Sequence, residues 1–123
     1  MVRALFDTNI LIDYLRKIEA ARDELARYTD KAISVVTWME VLVGATDANQ
    51  PATRAFLDSF TLIAIDARVA ERAVTLRQAQ RIKLPDAIVW ASAQVHGMLL
   101  VTRDTKGFPL GDPGIRMPYI VPA

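Results

Sequence analysis

The sequence predicts an α/β fold, a three-layer sandwich in which a mostly parallel sheet is flanked by helices. Three observations predict it. Short apolar or β-branched runs alternate with longer helical patterns along the chain. One of those helices carries no charged residue after its first acid, so it must be covered on most sides. The 123 residues fit one domain, taken as 1–123, and leave no room for a second.

The elements follow in order. Val2 to Phe6 is a short apolar run and reads as a buried strand, stopped by Asp7-Thr8-Asn9. Ile10, Leu11, Tyr14 and Leu15 recur at helical spacing, and Glu19 to Tyr28 makes a second helix with a charged face. Ala32 to Val36 is β-branched and reads as strand two. Thr37-Trp38-Met39-Glu40 matches a capping box opening a helix from Trp38 to Ala45. Asp47 to Pro51 is a loop, Thr53 to Phe60 a helix and Leu62 to Ile65 a third strand. Asp66 caps a long helix to about Arg81, with Val69, Ala73 and Leu76 on its inner side. Leu84-Pro85-Asp86 opens the uncharged helix, which runs to His96 and ends at Gly97. Met98 to Thr102 is strand four, closed by Arg103-Asp104. In the proline-rich tail, Tyr119-Ile120-Val121 is expected as an edge strand.

Composition narrows the chemistry. With no cysteine, there is no disulfide framework, thiol nucleophile or thiolate zinc site. A single histidine excludes a site built from several imidazoles. Any metal would be oxygen-held, hence magnesium-like or manganese-like. The net charge of +1 is too small for a protein that coats nucleic acid, so contact with it would be local. With no long apolar segment and no signal peptide expected, the cytoplasm is the expected compartment. The positive mean hydropathy of +0.19 suggests apolar surface hidden by a partner or a second copy.

In parallel sheets, sites form outside the carboxyl ends of the strands. Asp7 ends strand one, Glu40 lies one helical turn beyond strand two, Asp86 opens the uncharged helix, and Asp104 follows strand four. Parallel strands would bring all four to one end of the sheet. Clustered carboxylates repel, so one must take a proton unless a cation sits among them. A hard divalent ion there can acidify water and clamp a phosphate oxygen, which suits phosphodiester hydrolysis. Each acid also has a purely structural reading. Asp7 can cap helix one, Glu40 can complete the capping box, Asp86 can favour the helix dipole, and Asp104 can be a turn residue.

The local contexts add to this. Phe6-Asp7-Thr8-Asn9-Ile10-Leu11-Ile12-Asp13-Tyr14-Leu15, then Thr37-x-x-Glu40, then Leu84-Pro85-Asp86-Ala87, then Val101-Thr102-Arg103-Asp104-Thr105-Lys106, together resemble the PIN-domain family. The match is to its VapC-like branch, the toxin ribonucleases of prokaryotic toxin–antitoxin pairs. Each motif alone is weak, but the set in this order spans nearly the whole chain. The resemblance implies a PIN-like parallel sheet with helices on both sides and magnesium- or manganese-dependent cleavage of RNA. It makes Asp7, Glu40 and Asp86 metal-binding and catalytic acids and matches Asp104 to a more variable fourth position. It further implies a homodimer, and an antitoxin that wraps an apolar groove. Lys106-Gly107-Phe108 departs from the frequent Lys-Asp-Phe and removes any fifth acid.

Thr8, Asn9 and Thr102 stand beside the acids, as orienting groups or as plain cap and strand-end residues. Arg103 can contact a phosphate or pair with an acid. Asp13, six residues after Asp7, is expected to be exposed and structural. His96 is explained by its helix C-terminal position. Arg68, Arg72, Arg77 and Arg81 form a basic face interrupted by Glu71, read as solvated. Trp38, Met39, Val41, Leu42 and Val43, with Phe56 and Leu57, are a candidate interface. Two other functions compete with a ribonuclease. A phospho-receiver module would need paired acids after strand one and a late lysine, where this chain has Thr8-Asn9 and Arg103. A non-catalytic PIN-like binding protein would need no intact acid set.

Overall fold

The structure, a computed structural model, describes residues 2–109 and 111–120. Its elements are β1 (Ala4–Phe6), α1 (Thr8–Leu15), α2 (Glu19–Ala26), β2 (Lys31–Ser34), α3 (Val35–Val43), α4 (Gln50–Asp58), β3 (Thr61–Ile63), α5 (Ala67–Gln80), α6 (Leu84–Val95), β4 (Leu99–Val101) and β5 (Ile115–Arg116). The strands form one sheet in the order β3-β2-β1-β4-β5, and every pairing is parallel. The α/β sandwich expected from the alternation is therefore present.

Successive side chains of a strand point to opposite faces, and this divides the core in two. Leu5, Ala32 and Leu100 face α5 and α6, packing with Val69, Ala73, Leu76, Val89 and Trp90. Ala4, Phe6, Ile33 and Val101 face the other layer, with Ile10, Leu11, Leu25, Leu57 and Phe60. Full burial of a side chain such as Phe6 or Leu5 contributes about 1.5–3 kcal/mol each. Both central strands are covered on both faces, which is why they read as continuous apolar runs. Helix α6 is buried through Ala87, Val89, Trp90, Ala91, Ser92 and Ala93, as its lack of charge requires. Among the described residues, no helix is long and apolar enough to cross a membrane.

The connection from β1 leads by way of α1 and α2 to β2 on one side, whereas β4 lies on the other side of β1. The chain direction across the sheet thus reverses between β1 and β4. A crevice opens at such a switch point, beyond the carboxyl ends of the two strands.

Several expectations are corrected. Helix α3 starts at Val35, three residues before the expected start, because Ser34 is its N-cap and its hydroxyl accepts from the Val36 N–H at 3.1 Å. Thr37 and Glu40 are therefore no capping box, and Val35-Val36, which read as strand, lie in the first turn. The edge strand of the tail is Ile115–Arg116, not Tyr119-Ile120-Val121, since Val121 lies outside the described residues and Tyr119 packs back on the core. Val41 and Leu57 are buried in the core and leave the candidate interface, while Met39 and Val43 are exposed. Arg72 and Arg77 of the basic face are engaged locally, by Gln94 and by the Ile82 carbonyl.

Candidate active site

Asp7 follows β1 directly and is the N-cap of α1, its Oδ1 accepting from the Thr8 N–H at 2.8 Å. The structural reading of Asp7 is thus correct and incomplete. Its other oxygen, Oδ2, accepts from the Thr102 hydroxyl at 2.8 Å and from Asn9 Nδ2 at 3.3 Å. The Asp7 N–H bonds to the Val101 carbonyl, so the carboxylate sits where β1 and β4 part. It is 5% exposed. Burial pushes its pKa up to about 6, against the hydrogen bonds from Thr102 and Thr8, and the charges of Asp86 and Asp104 push the same way.

Asp104 is placed by the turn that follows β4. Its N–H donates to Thr102 Oγ1 at 3.1 Å, and its Oδ1 accepts from the N–H groups of Lys106 and Gly107, each at 3.0 Å. It is a turn residue and also faces the other acids. A Cβ at Gly107 would collide with Asp104 Oδ2 and lie 3.1 Å from Asp86 Oδ2. Those two oxygens from distant parts of the chain therefore meet beside Gly107. The departure from Lys-Asp-Phe has a physical counterpart: a side chain at 107 would displace Asp104 from its present place.

Asp86 lies in the first turn of α6, set by Pro85 at the helix start. Its carboxylate forms no hydrogen bond among the described residues. Burial raises its pKa, as do the charges of Asp104 and Glu40, and Lys83 opposes them. Glu40 rises from the second turn of α3 and is exposed. The Thr8 hydroxyl donates to Glu40 Oε1 at 2.6 Å and stands 3.1 Å from the hydroxyl of buried Thr37.

The structure thus brings Asp7, Glu40, Asp86 and Asp104 within electrostatic range as one group, with Thr8, Asn9 and Thr102 linking Asp7 to Glu40 and Asp104, and Asp86 joined through charge alone. Arg103 is not free to meet a phosphate; its guanidinium pairs with Asp13. Asp13 is not exposed, as its helix position suggested, but 1% exposed. Thr37 was read only as a cap, and its site contact appears once Ser34 takes the cap. His96 caps the far end of α6, about 15 Å from Asp86 at 1.5 Å per residue.

The group's donors are all oxygen, and among the described residues no cation forms an ion pair with these acids, Lys83 acting on Asp86 only at a distance. Among the described residues, no three such side chains stand close enough to enclose an ion by themselves. The donor chemistry fits a hard divalent ion that keeps part of its water shell, as magnesium does.

Comparison with known proteins accords with this geometry. The family model described as PIN domain matches residues 4–109. The chain is 32% identical to Ribonuclease VapC10 of Mycobacterium tuberculosis, over 96% of this chain and 94% of that protein. Its fold superposes on a chain of a toxin–antitoxin complex from Klebsiella pneumoniae with a TM-score of 0.91 and 48% identity, covering 96% of this chain and 99% of that one. FitAcB from Neisseria gonorrhoeae matches with a TM-score of 0.80 and 23% identity, covering 94% and 97%, which shows the shared fold.

Proposed function

This chain belongs to the PIN domain family, and from that premise we propose that it is a metal-dependent endoribonuclease, the toxin of a toxin–antitoxin pair. Residues 1–123 make one PIN-like domain in this reading. The observation that carries it is Asp7: a buried carboxylate at the sheet's switch point, tied by three donors yet crowded by two further acids and paired with no cation. The name of the 32% identical relative supports RNA as substrate, and the 48% identical complex supports a cognate antitoxin as partner.

Asp7, Glu40, Asp86 and Asp104 would hold Mg2+, with Mn2+ as substitute. When bound, the ion supplies charge to the scissile phosphate and acidifies water for attack on phosphorus. The chain's own groups prepare this. Thr102 and the Thr8 N–H fix both oxygens of Asp7, and the Thr8 hydroxyl fixes Glu40. The N–H groups of Lys106 and Gly107 hold Asp104 at a set angle. Asp7, with its pKa at about 6, must shed any proton it carries before the acids act together. Asn9 bridges Asp7 and Thr102, so both strand ends move as one.

Exposed Leu15, Met39 and Val43 on α1 and α3 supply apolar surface for the antitoxin or for a homodimer. Such a toxin works in the cytoplasm, where its RNA is. The test is incubation of partner-free protein with total bacterial RNA and Mg2+ or Mn2+, with Asp7→Asn beside it and new 5′ ends mapped. Discrete cuts that need both metal and Asp7 are expected. Cuts that persist in Asp7→Asn would overturn the assignment. The separation of the acids favours one second reading, a PIN-like protein that binds RNA without cutting it. A Mn2+ titration that shows no binding would select that reading.

A further inference from the structure

Asp13, the one acid within α1, is 1% exposed and has no part in the acid group. Its two oxygens are both occupied. Arg103 approaches with a fork, Nε to Oδ2 and Nη2 to Oδ1, the latter at 2.9 Å. The Tyr119 hydroxyl donates to Oδ2 at 2.8 Å and reaches it from the tail, 106 positions away. The burial of Asp13 and its two donors press on the same object, the segment that leaves β4.

Arg103 stands between two site residues. Thr102 before it donates to Asp7, and Asp104 after it is one of the four acids. Its own N–H donates to Asn9 Oδ1 at 3.3 Å, so this segment is joined to α1 twice. A planar fork fixes both distance and angle, which a single lysine charge does not. The pairing also settles where the guanidinium goes. It is held at Asp13 and forms no ion pair with the four site acids, although Arg103 is within electrostatic range of Asp104. Of the other groups nearby, Tyr119 is neutral and Arg116 is held by Glu24.

We propose that Asp13, braced by Tyr119, is a positioning residue for the acid site: by capturing Arg103 it sets the Thr102–Asp104 segment and keeps a competing positive charge out of the place where a cation binds. This rests on the metal-site reading given above. The outer partners of a metal site commonly affect affinity by about 10–100-fold.

Calorimetric titration of Mn2+ into wild type, Asp13→Asn, Asp13→Asn/Arg103→Ala and Tyr119→Phe tests it, with RNA-cleavage kcat and KM measured alongside. In Asp13→Asn, Mn2+ affinity is expected to fall about tenfold and kcat to fall with it, KM staying close to wild type. The double variant should regain part of the Mn2+ affinity, since the released guanidinium no longer competes. Tyr119→Phe should weaken Mn2+ by about two- to threefold with cooperative unfolding intact. Wild-type binding that is unchanged in Asp13→Asn and Tyr119→Phe overturns the clamp alone. A double variant no better than Asp13→Asn removes the charge-sequestering part. If Asp13→Asn does not fold, Tyr119→Phe decides. No Mn2+ binding by wild type overturns the metal reading and the clamp together.

Discussion

Two groups of buried carboxylates sit on the same domain and behave in opposite ways. Glu24 is 3% exposed and Asp7 is 5% exposed, so little of either side chain meets water, although Asp7 lies the deeper of the two. Glu24 receives Arg116 through two bonds, at 2.7 and 3.0 Å, and the Tyr28 hydroxyl at 2.9 Å. Burial pushes its pKa up, but these partners win, and it ends below the usual carboxylate value. Asp7 receives only neutral donors, and its charged neighbours are acids, so it ends raised, at about 6. Burial raises both, more deeply for Asp7, and only Glu24 has a counter-charge to reverse it. A buried acid marks a site when the fold gives it hydrogen bonds but no cation. Asp13, like Glu24, is paired with an arginine.

The widest separation of the two groups should come from Asp7→Asn and Glu24→Ala. Asp7→Asn should reduce RNA cleavage by ~10³-fold, read from initial rates in Mn2+. The same change should leave the fold intact and, in metal-free buffer near neutral pH, raise stability by about 1 kcal/mol in urea unfolding, because a crowded charge is gone. Glu24→Ala should do the reverse. Cleavage per folded molecule should persist, and stability should fall by about 2–3 kcal/mol, less than for a fully enclosed pair because Arg116 retains some access to water.

Gly107→Ala asks whether Asp104 must stay where its turn places it. The added methyl group would meet Asp104 Oδ2, and cleavage should drop about tenfold with little change in melting temperature. Full activity in Gly107→Ala would show that Asp104 can shift without harm.

The pH dependence of stability should also differ in sign. Asp7 binds its proton more tightly in the folded chain than in the unfolded one. In metal-free buffer its contribution is therefore fully present below the ordinary value of 3.8 and lost as pH rises through about 6. Glu24, with its pKa lowered, contributes above its ordinary value of 4.5, and that contribution is lost as pH falls through its native pKa. Unfolding curves of wild type, Asp7→Asn and Glu24→Gln across this range separate the two. The smallest effect concerns neither acid. Lys17 follows α1 with φ of 64°, a region that glycine enters freely, and Lys17→Gly should stabilise the chain by about 1 kcal/mol.

Much of this was legible in the sequence. Alternating runs gave the sandwich, and acids at strand and helix ends pointed to one end of a parallel sheet. What stayed hidden depended on long-range neighbours. Asp13 looked exposed because its helix face is revealed only when Arg103 and Tyr119, 90 and 106 positions away, fold over it. The start of α3 was misread because Ser34 and Thr37 both suit a cap, and Val35-Val36 suit a strand as well as a helix. The last strand has only two residues, too few for any periodicity.

The most direct test of the divide is titration of Mn2+ into the wild-type protein near the pKa of Asp7, in two buffers of different ionisation enthalpy, with Asp7→Asn as control. The unpaired acids predict saturable binding whose heat depends on the buffer, because the ion displaces a proton from Asp7, and at least tenfold weaker binding with a smaller buffer dependence in Asp7→Asn. Equal affinity in the two proteins, or no binding in either, would contradict the claim that these carboxylates are held ready for a cation.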